Sequence, residues 1–140
     1  MKHNVRSVEG LSLVSEIIEL HNIIWDNSVG IIELLKNSSR CLYVRKKERL
    51  AGYAFLEEDR SRGFVELQDV AVDPRYRGQG IGKALIKEAM RLYPCIKLIA
   101  RVSTEPLIRL YRELGFVEEY TIENYYSIGC DGLRMSWSRK

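Results

Sequence analysis

The stretch from Val72 to Ile86, VDPRYRGQGIGKALI, joins a strand-like apolar segment to a segment with the apolar spacing of a helix. Glycine and basic residues crowd the junction, and they are Arg75, Arg77, Gly78, Gly80, Gly82 and Lys83. Glycine allows positive φ angles and close approach of a ligand to the main chain, while the unpaired N–H groups at a helix start attract anions. The stretch therefore predicts a site for an anion, most simply a phosphate, to which the three basic side chains add charge.

Two familiar phosphate loops do not fit these residues. A nucleoside-triphosphate loop, G-x-x-x-x-G-K followed by serine or threonine, would need glycine at Arg77 and a hydroxyl residue at Ala84. A dinucleotide fingerprint needs G-x-G-x-x-G, whereas the spacing here is G-x-G-x-G, and the region around Ile99 lacks the acid that binds ribose. A different phosphate ligand is indicated.

Hydrophobic periodicity predicts the elements on either side of the glycine turn. Helices are predicted over residues 12–21, about 28–35, from 81 onward, and from about 106 to 114. Strands are predicted over residues 4–8, 41–45, 50–56, 64–72, 96–102, 116–122 and 133–138, with a long loop over 123–132. The strand, helix and strand around the turn predict a right-handed crossover. The predicted fold class is α+β, a mixed and mostly antiparallel sheet with helices on both faces and one parallel crossover.

Composition and charge limit the classes of function. A chain of 140 residues predicts one domain, residues 1–140, and a net charge of +3 is too small to indicate nucleic acid or a membrane as partner. Three cysteines without a C-x-x-C pair and only two histidines predict no metal site. No segment resembles a signal peptide or reaches the length of a membrane helix, so we expect a cytoplasmic protein.

Two motifs together resemble one enzyme family. Arg77-x-x-Gly80-x-Gly82 resembles the acetyl-CoA pyrophosphate loop of the GCN5-related N-acetyltransferase (GNAT) superfamily. The segment LYRELGF, which ends at Phe116, resembles that superfamily's second signature, an aromatic helix that closes with Gly-Phe. The order of elements is similar as well, over essentially the whole chain. The resemblance implies an acetyl-CoA-dependent N-acetyltransferase without a metal, in which an amine attacks the thioester directly.

The resemblance assigns the cosubstrate to the glycine turn and the strand before it. It implies that the backbone around Val70, Ala71 and Val72 binds the thioester and the pantetheine arm. It also implies that the pyrophosphate is held by main-chain N–H groups, namely those of Arg77, Gly78, Gln79, Gly80, Ile81, Gly82 and Lys83. Tyr111 is similar to the tyrosine that protonates the CoA sulfur, although a tyrosine on a helix stripe also serves packing. Thr104 stands where many relatives have an asparagine that contacts CoA.

The base that takes the proton of the acceptor amine stays open at this point. Glu66 lies six residues before Val72, the position of the general-base glutamate in some members of the superfamily, but it could instead pair with a basic neighbour. Simple alternation puts Glu66, Gln68, Val70 and Val72 on one face. The superfamily's bulge in this strand would shift that parity and make Asp69 the reserve candidate. A chain of water molecules is the third alternative.

The acceptor is indicated by Tyr125 and Tyr126, which precede an acidic-glycine turn. Such a pair resembles N-terminal protein acetyltransferases of the ribosomal-protein and archaeal type, in which paired tyrosines line the peptide slot, although it could also pack across a hairpin. An α-amine has a pKa of about 7.7–8.0 against about 10.4 for lysine, so it suits a weakly placed base. We therefore expect a peptide N-terminus as acceptor. An alternative acceptor is a small amine such as a polyamine or an amino sugar, and an alternative function is a non-catalytic acyl-CoA-binding module. We expect a monomer or a homodimer.

Overall fold

The computed structural model describes residues 3–8, 14–25, 40–59 and 61–140. Within these ranges the strands are β1 (Arg6–Val8), β2 (Arg40–Lys46), β3 (Arg49–Asp59), β4 (Phe64–Val72), β5 (Cys95–Arg101), β6 (Val117–Ser127) and β7 (Cys130–Ser138). The helices are α1 (Val14–Trp25), α2 (Ile81–Leu92) and α3 (Glu105–Glu113), with a short 3-10 turn at Pro74–Tyr76. The helix predicted over residues 28–35 lies outside the described residues.

The strands form one mixed sheet in the order β1-β2-β3-β4-β5-β7-β6. The first four are consecutive antiparallel neighbours, and β5 pairs antiparallel with β7. For β2, β3 and β4 this pairing is the one that the short connections between the predicted strands indicate. Only β4 and β5 pair in parallel within the described strands, and α2 connects them. The predicted α+β class with one parallel crossover is confirmed.

Apolar side chains cover both faces of this sheet. On one face, Ile17 and Leu20 of α1 pack with Tyr53, Phe55 and other buried residues of β2 to β4. On the opposite face, α2 and α3 bury their apolar stripes against a larger core drawn from β2 to β5 and β7. Each helix is amphipathic at helical spacing, so its apolar stripe is removed from water only by docking on the sheet. The prediction of helices on both faces is confirmed.

A bulge and a split occur together at the centre of the sheet. Phe55 of β3 pairs with Asp69 and Leu56 pairs with Leu67, so Gln68 is an extra residue in β4. The parallel pairing of β4 with β5 covers three residue pairs and ends at Leu67 and Leu98. Beyond that point the edge of β4 that faces β5 forms no ladder with it, so the parallel pairing is open towards the C-terminal ends of the two strands.

The bulge corrects the simple alternation along β4. Val70 and Val72 pack on the core of α2 and α3, whereas Asp69 lies opposite Phe55 on the α1 face. Glu66 stands between Val65 and Leu67, which are buried on the α2 face, so Glu66 also points to the α1 face. The two acids therefore share a face with each other and not with the valines, because one extra residue reverses the parity after it.

The predicted long loop over residues 123–132 is wrong. Strand β6 runs to Ser127 and β7 begins at Cys130, so a two-residue turn joins them. Two hydrogen bonds brace the irregular part of this hairpin: the Asn124 N–H donates to Asp131 Oδ1 at 2.9 Å, and the Gly129 N–H donates to Asn124 Oδ1 at 2.8 Å. Polar residues that suggested a loop act here as local braces within a hairpin.

Candidate active site

A buried aspartate fixes the end of β4. Asp73 is 2% exposed, and its carboxylate accepts from the Arg75 backbone N–H at 2.9 Å and from the Arg75 guanidinium at 2.6 Å. The Asp73 N–H donates to the carbonyl of Ala51 at 2.7 Å, which ties the turn to β3. Arg75 therefore holds the turn in place, whereas the sequence suggested that its charge would serve the anion directly.

The glycine turn leaves the start of α2 open. Gly78 and Gly80 have φ angles of +79° and +84°, and Gly80 is the N-cap of α2 with no side-chain cap. The Ala84 N–H donates to the Gly80 carbonyl at 3.0 Å as the first helical bond, so the N–H groups between these residues precede the ladder. A Cβ on Gly78 would meet no atom within 4 Å among the described residues. The helix N-terminus thus suits a pyrophosphate.

One local contact and one contact from a distant residue hold the backbone of the turn. The Arg77 Nε–H donates to the carbonyl of Val72 at 3.3 Å. His3 Nε2 lies 2.6 Å from the carbonyl oxygen of Gln79, so this nitrogen carries the proton because a carbonyl only accepts. Sequence reasoning missed His3, since no local pattern links residues 76 positions apart.

Gly52 controls how closely α2 approaches the sheet. A Cβ at this position would stand 2.9 Å from Ile81 Cγ2 and 3.1 Å from the Ala71 carbonyl oxygen. We expect Gly52→Ala to lower the free energy of unfolding by about 2 kcal/mol through overpacking. Because Ile81 begins α2, we also expect roughly tenfold weaker acetyl-CoA binding. Urea unfolding and calorimetry check both effects, and an unchanged affinity would show that the helix start is not displaced.

Tyr111 is held by the Gly-Phe signature that follows it. Gly115 has φ +103°, its N–H donates to the Arg112 carbonyl at 3.0 Å, and the Phe116 N–H donates to the Tyr111 carbonyl at 2.9 Å. This pair of bonds is a Schellman motif, which needs a residue with positive φ. The Phe116 ring packs 5.5 Å from the Tyr111 ring. The signature therefore fixes both the backbone and the ring of Tyr111.

The environment of Tyr111 keeps its hydroxyl protonated. The residue is 4% exposed, and burial raises its pKa, with the negative charge of Asp69 and then Tyr126 adding to the shift. Tyr111 belongs to the core on the α2 face, and Asp69 points to the α1 face. The charge of Asp69 therefore acts on Tyr111 from the opposite face of the sheet, beyond the point where the β4–β5 ladder ends. A neutral phenol at this position retains the proton that a departing thiolate needs.

Thr104 stands at the N-cap of α3 without a capping hydrogen bond from its side chain. Its hydroxyl donates to the carbonyl of Arg101 at 2.6 Å. The hydroxyl proton is thereby engaged, and its oxygen keeps acceptor capacity for one further partner. The predicted role of Thr104 as a CoA contact stays a prediction.

Glu66 lies in an ion pair on the closed part of the sheet. Its two carboxylate oxygens lie 3.0 and 2.9 Å from Arg134 Nη1, and Arg62 Nη1 is 3.9 Å away. Burial raises the pKa of Glu66, and the bond and charge of Arg134 oppose that rise. Glu66 is therefore paired with a basic neighbour, which the sequence offered as the alternative to a role as general base.

Asp69 lies at the bulge with different partners. Its carboxylate accepts from the Tyr53 hydroxyl at 3.1 Å, and His21 Nδ1 stands 3.9 Å away. Burial raises its pKa from 3.8 to about 6, with opposing contributions from the Tyr53 hydroxyl and the Val70 N–H. Sequence reasoning missed Tyr53 and His21. One signal was available, because a tyrosine inside the apolar run LAGYAFL must find a partner for its hydroxyl.

The raised pKa of Asp69 makes stability depend on pH. The folded state binds the Asp69 proton more tightly than the unfolded state does. The stability that this binding adds is fully present below the ordinary pKa of 3.8 and is lost as pH rises through about 6. Since two pKa units correspond to roughly 3 kcal/mol, we expect Asp69→Asn to exceed the wild type in unfolding free energy by about 2–3 kcal/mol at pH 8. The difference should vanish near pH 4. Urea titrations across this range test it, and a difference that does not change with pH would contradict it.

The paired tyrosines stand on β6 beside the parted strands. The Tyr126 hydroxyl donates to the carbonyl of Ile99 at 2.8 Å, and the Arg101 guanidinium lies 4.3 Å from the Tyr126 ring centre. Tyr125 is 49% exposed, and its ring meets that of Tyr126 edge-on at 4.9 Å. Burial raises the pKa of Tyr126 to about 12. Ile99 belongs to the part of β5 that has left β4, so Tyr126 closes one side of the opening.

The described residues show neither a metal-binding cluster nor a membrane-spanning helix. They contain no group of three or more histidine, cysteine, aspartate or glutamate side chains that could hold a metal ion. No helix among them is long and apolar enough to cross a membrane.

Comparison with known proteins agrees with this geometry. Residues 12–116 match the model of the acetyltransferase (GNAT) family. Over 86 residues the chain is 34% identical to N-alpha-acetyltransferase 30 of Xenopus laevis. This alignment covers 56% of this chain but only 30% of that relative. The chain therefore spans less than a third of that protein's length.

Two bacterial proteins match over more of their length. A Bacillus subtilis (strain 168) protein, provisionally named a ribosomal protein bS18-alanine N-acetyltransferase, is 28% identical over 124 residues, or 81% of this chain and 78% of that protein. The crystal structure of the ribosomal-protein-S18-alanine N-acetyltransferase from Escherichia coli superposes with a TM-score of 0.81 at 21% identity, covering 98% and 94% of the two chains. With the family match over residues 12–116 and the same fold, the chain belongs to the acetyltransferase (GNAT) family.

Proposed function

We propose that this protein transfers the acetyl group of acetyl-CoA to the α-amino group of a peptide or protein N-terminus. The observation that carries the proposal is the parting of β4 and β5 between the open helix start at Gly80 and the paired tyrosines of β6. The helix start suits a diphosphate, and beyond Leu67 the β4 edge that faces β5 has no partner among the described strands. The paired tyrosines present aromatic rings to solvent.

The residues of the cleft fit the cosubstrate. The uncapped start of α2, with the positive φ angles of Gly78 and Gly80, suits a pyrophosphate that contacts the main chain. The edge of β4 at Val70 and Val72 faces the opening and can hydrogen-bond a pantetheine amide as a neighbouring strand would. Acetyl-CoA supplies the activated acetyl group. The chain's part is to hold it, to orient the amine and to manage protons.

The group that donates a proton and the candidate groups that accept one lie on opposite faces of the sheet. Tyr111, buried on the α2 face, keeps its proton at neutral pH and is the acid for the departing sulfur. The acids Glu66 and Asp69 both lie on the α1 face. The amine therefore loses its proton on one side of the sheet while the sulfur gains one on the other.

The acceptor assignment rests on the β6 tyrosines and on the relatives. Tyr125 is half exposed beside the opening, where its ring can pack against the first side chains of a peptide. The Xenopus relative is named an N-alpha-acetyltransferase, and the E. coli and B. subtilis proteins are named for the alanine of a ribosomal protein. An α-amine is also the easier amine to deprotonate near neutral pH, since its pKa is about 7.7–8.0.

A panel of acceptors tests the proposal. Purified protein is incubated with acetyl-CoA and with peptides that differ at their first two residues, the same peptides blocked at the N-terminus, polyamines and amino sugars. Release of free thiol gives the rate, and mass spectrometry gives the acetylated position. We expect acetylation of free N-termini and no reaction of blocked peptides that retain lysine. Preferred turnover of small amines would replace the acceptor, and cofactor binding without thiol release would indicate a non-catalytic module.

A further inference from the structure

We propose that Asp69, rather than Glu66, is the general base for the acceptor amine, and that Tyr53 and His21 are positioning residues that orient its carboxylate. The inference rests on the proposed function and names the residues that the sequence left open. It is carried by a buried hydrogen-bonded network of three side chains, one each from α1, β3 and β4.

The hydrogen-bonded network runs from His21 of α1 through Tyr53 of β3 to Asp69, next to the bulge of β4. His21 Nδ1 lies 3.2 Å from the Tyr53 hydroxyl oxygen, and that hydroxyl donates to Asp69 Oδ2 at 3.1 Å. Since the tyrosine proton is directed at the carboxylate, the His21 nitrogen is the donor to the tyrosine oxygen. Tyr53 is fully buried and His21 is 9% exposed. Side chains this well buried hold the carboxylate in one orientation, because few other rotamers are free of clashes.

Asp69 stands where the reacting groups must meet. It directly precedes Val70, whose backbone borders the opening, and it lies two residues past the last residue of β4 that pairs with β5. Among the described residues, His21 from α1 and Tyr53 from β3 lie next to the Asp69 carboxylate, and its charge raises the pKa values of Tyr111 from α3 and Tyr126 from β6. None of these groups is an arginine or lysine that would hold the carboxylate in a fixed ion pair.

Glu66 differs from Asp69 both in its position in the sheet and in the groups that contact its carboxylate. It pairs with Lys97 of β5 in the closed part of the sheet, three residues before Asp69 and on the other side of the bulge at Gln68. Its carboxylate is engaged by Arg134 at 2.9 Å, and the two side chains are only 16% and 12% exposed. Proton uptake by Glu66 would leave the Arg134 charge buried without its partner, which is costly. Glu66 and Arg134 are therefore assigned to the structure of the sheet.

The proton balance closes with Asp69 as base. An ammonium acceptor first releases one proton to solvent, and the neutral amine nitrogen then forms a bond to the acetyl carbon and passes one proton to the Asp69 carboxylate. The bond between that carbon and sulfur breaks, and the sulfur takes the proton of Tyr111. Proton transfer from Asp69 to Tyr111 through solvent then restores both groups, so the reaction has no net proton uptake. The pKa of about 6 for Asp69 leaves it ionised at neutral pH, which is the form that accepts a proton.

Matched amide variants distinguish the two acids. We expect Asp69→Asn to lower kcat about 100-fold at pH 7.5 while the dissociation constant for acetyl-CoA stays within twofold. Asparagine keeps the acceptor oxygen for Tyr53, so the fold should persist, and a thermal melt verifies this. Glu66→Gln should lower kcat less than tenfold. Equal or greater loss in Glu66→Gln, or full turnover in Asp69→Asn, would overturn the assignment.

The positioning role has its own readout. Tyr53→Phe removes a hydrogen bond that lowers the pKa of Asp69, so the acid limb of the kcat profile should move to higher pH by roughly half to one unit. His21→Asn should move it in the same direction by a smaller amount. Loss of kcat at every pH, with an unmoved acid limb, would mean that Tyr53 and His21 only support the fold.

Failure of this inference is distinguishable from failure of the proposed function. If the wild type acetylates a small amine and no peptide, the acceptor is wrong, and the same variants assayed with that amine still decide the base. If peptide turnover survives in Asp69→Asn, the function stands and the base is wrong. If the wild type binds acetyl-CoA and acetylates no amine, both are overturned.

Discussion

Gly80→Glu is expected to weaken acetyl-CoA binding at least 1000-fold, which corresponds to about 4 kcal/mol. Gly80 has φ +84° and is the N-cap of α2, so glutamate would adopt a conformation that L residues rarely take. Its carboxylate would also stand at the helix N-terminus, where it competes with the diphosphate for the same N–H groups and repels it. Isothermal titration calorimetry with acetyl-CoA measures the loss.

The chain offers a matched control for this substitution. Gly63 has φ +74° in the turn between β3 and β4, and a Cβ there would meet nothing within 4 Å among the described residues. Gly63→Glu therefore introduces the same charge and a similar backbone strain at a different site. We expect acetyl-CoA affinity within twofold of the wild type for Gly63→Glu. Normal affinity in Gly80→Glu would remove the glycine turn from the cofactor site.

Tyr111→Phe is expected to lower kcat by about 1000-fold and to change the dissociation constant of acetyl-CoA less than threefold. Loss of a positioned general acid costs 10²–10⁴-fold in rate, by order of magnitude, while the ring itself remains packed on Phe116. A loss confined to turnover indicates an interaction made in the transition state. Stopped assays with a reactive peptide, together with calorimetry, separate turnover from binding.

Tyr43→Phe serves as the control for loss of a tyrosine hydroxyl. Tyr43 is 9% exposed and packs in the core under α1, away from the opening between β4 and β5. We expect its kcat to match the wild type within twofold. If Tyr111→Phe turned over as fast as this control, Tyr111 would be a packing residue and the proton for sulfur would come from another donor.

The elements nearest the glycine turn followed directly from their own residues. Strand β4 covers Phe64–Val72 and α2 begins at Ile81, as the local apolar pattern predicted. Gly115 ends α3 with a positive φ, which is a local requirement that glycine meets without a Cβ penalty. Such features depend on a few neighbouring residues, so a sequence contains most of the information that sets them.

Long-range pairing decided the features that sequence reasoning missed or left open. The extra residue Gln68 becomes visible only when β4 is laid against β3, and it alone sends Asp69 to the α1 face. The contact of Arg134 with Glu66 joins residues 68 positions apart, and that of His21 with Tyr53 joins residues 32 apart. The polar hairpin of β6 and β7 was misjudged because Asn124 and Asp131 satisfy backbone groups locally.

The amino-acid sequence by itself determined the order of elements, the glycine turn and the tyrosine helix, because each follows from local backbone preference and apolar periodicity. The tertiary structure alone decided which carboxylate lies at the opening of the sheet and which is held by arginine. That choice depends on strand register and on burial, and one bulged residue changes both.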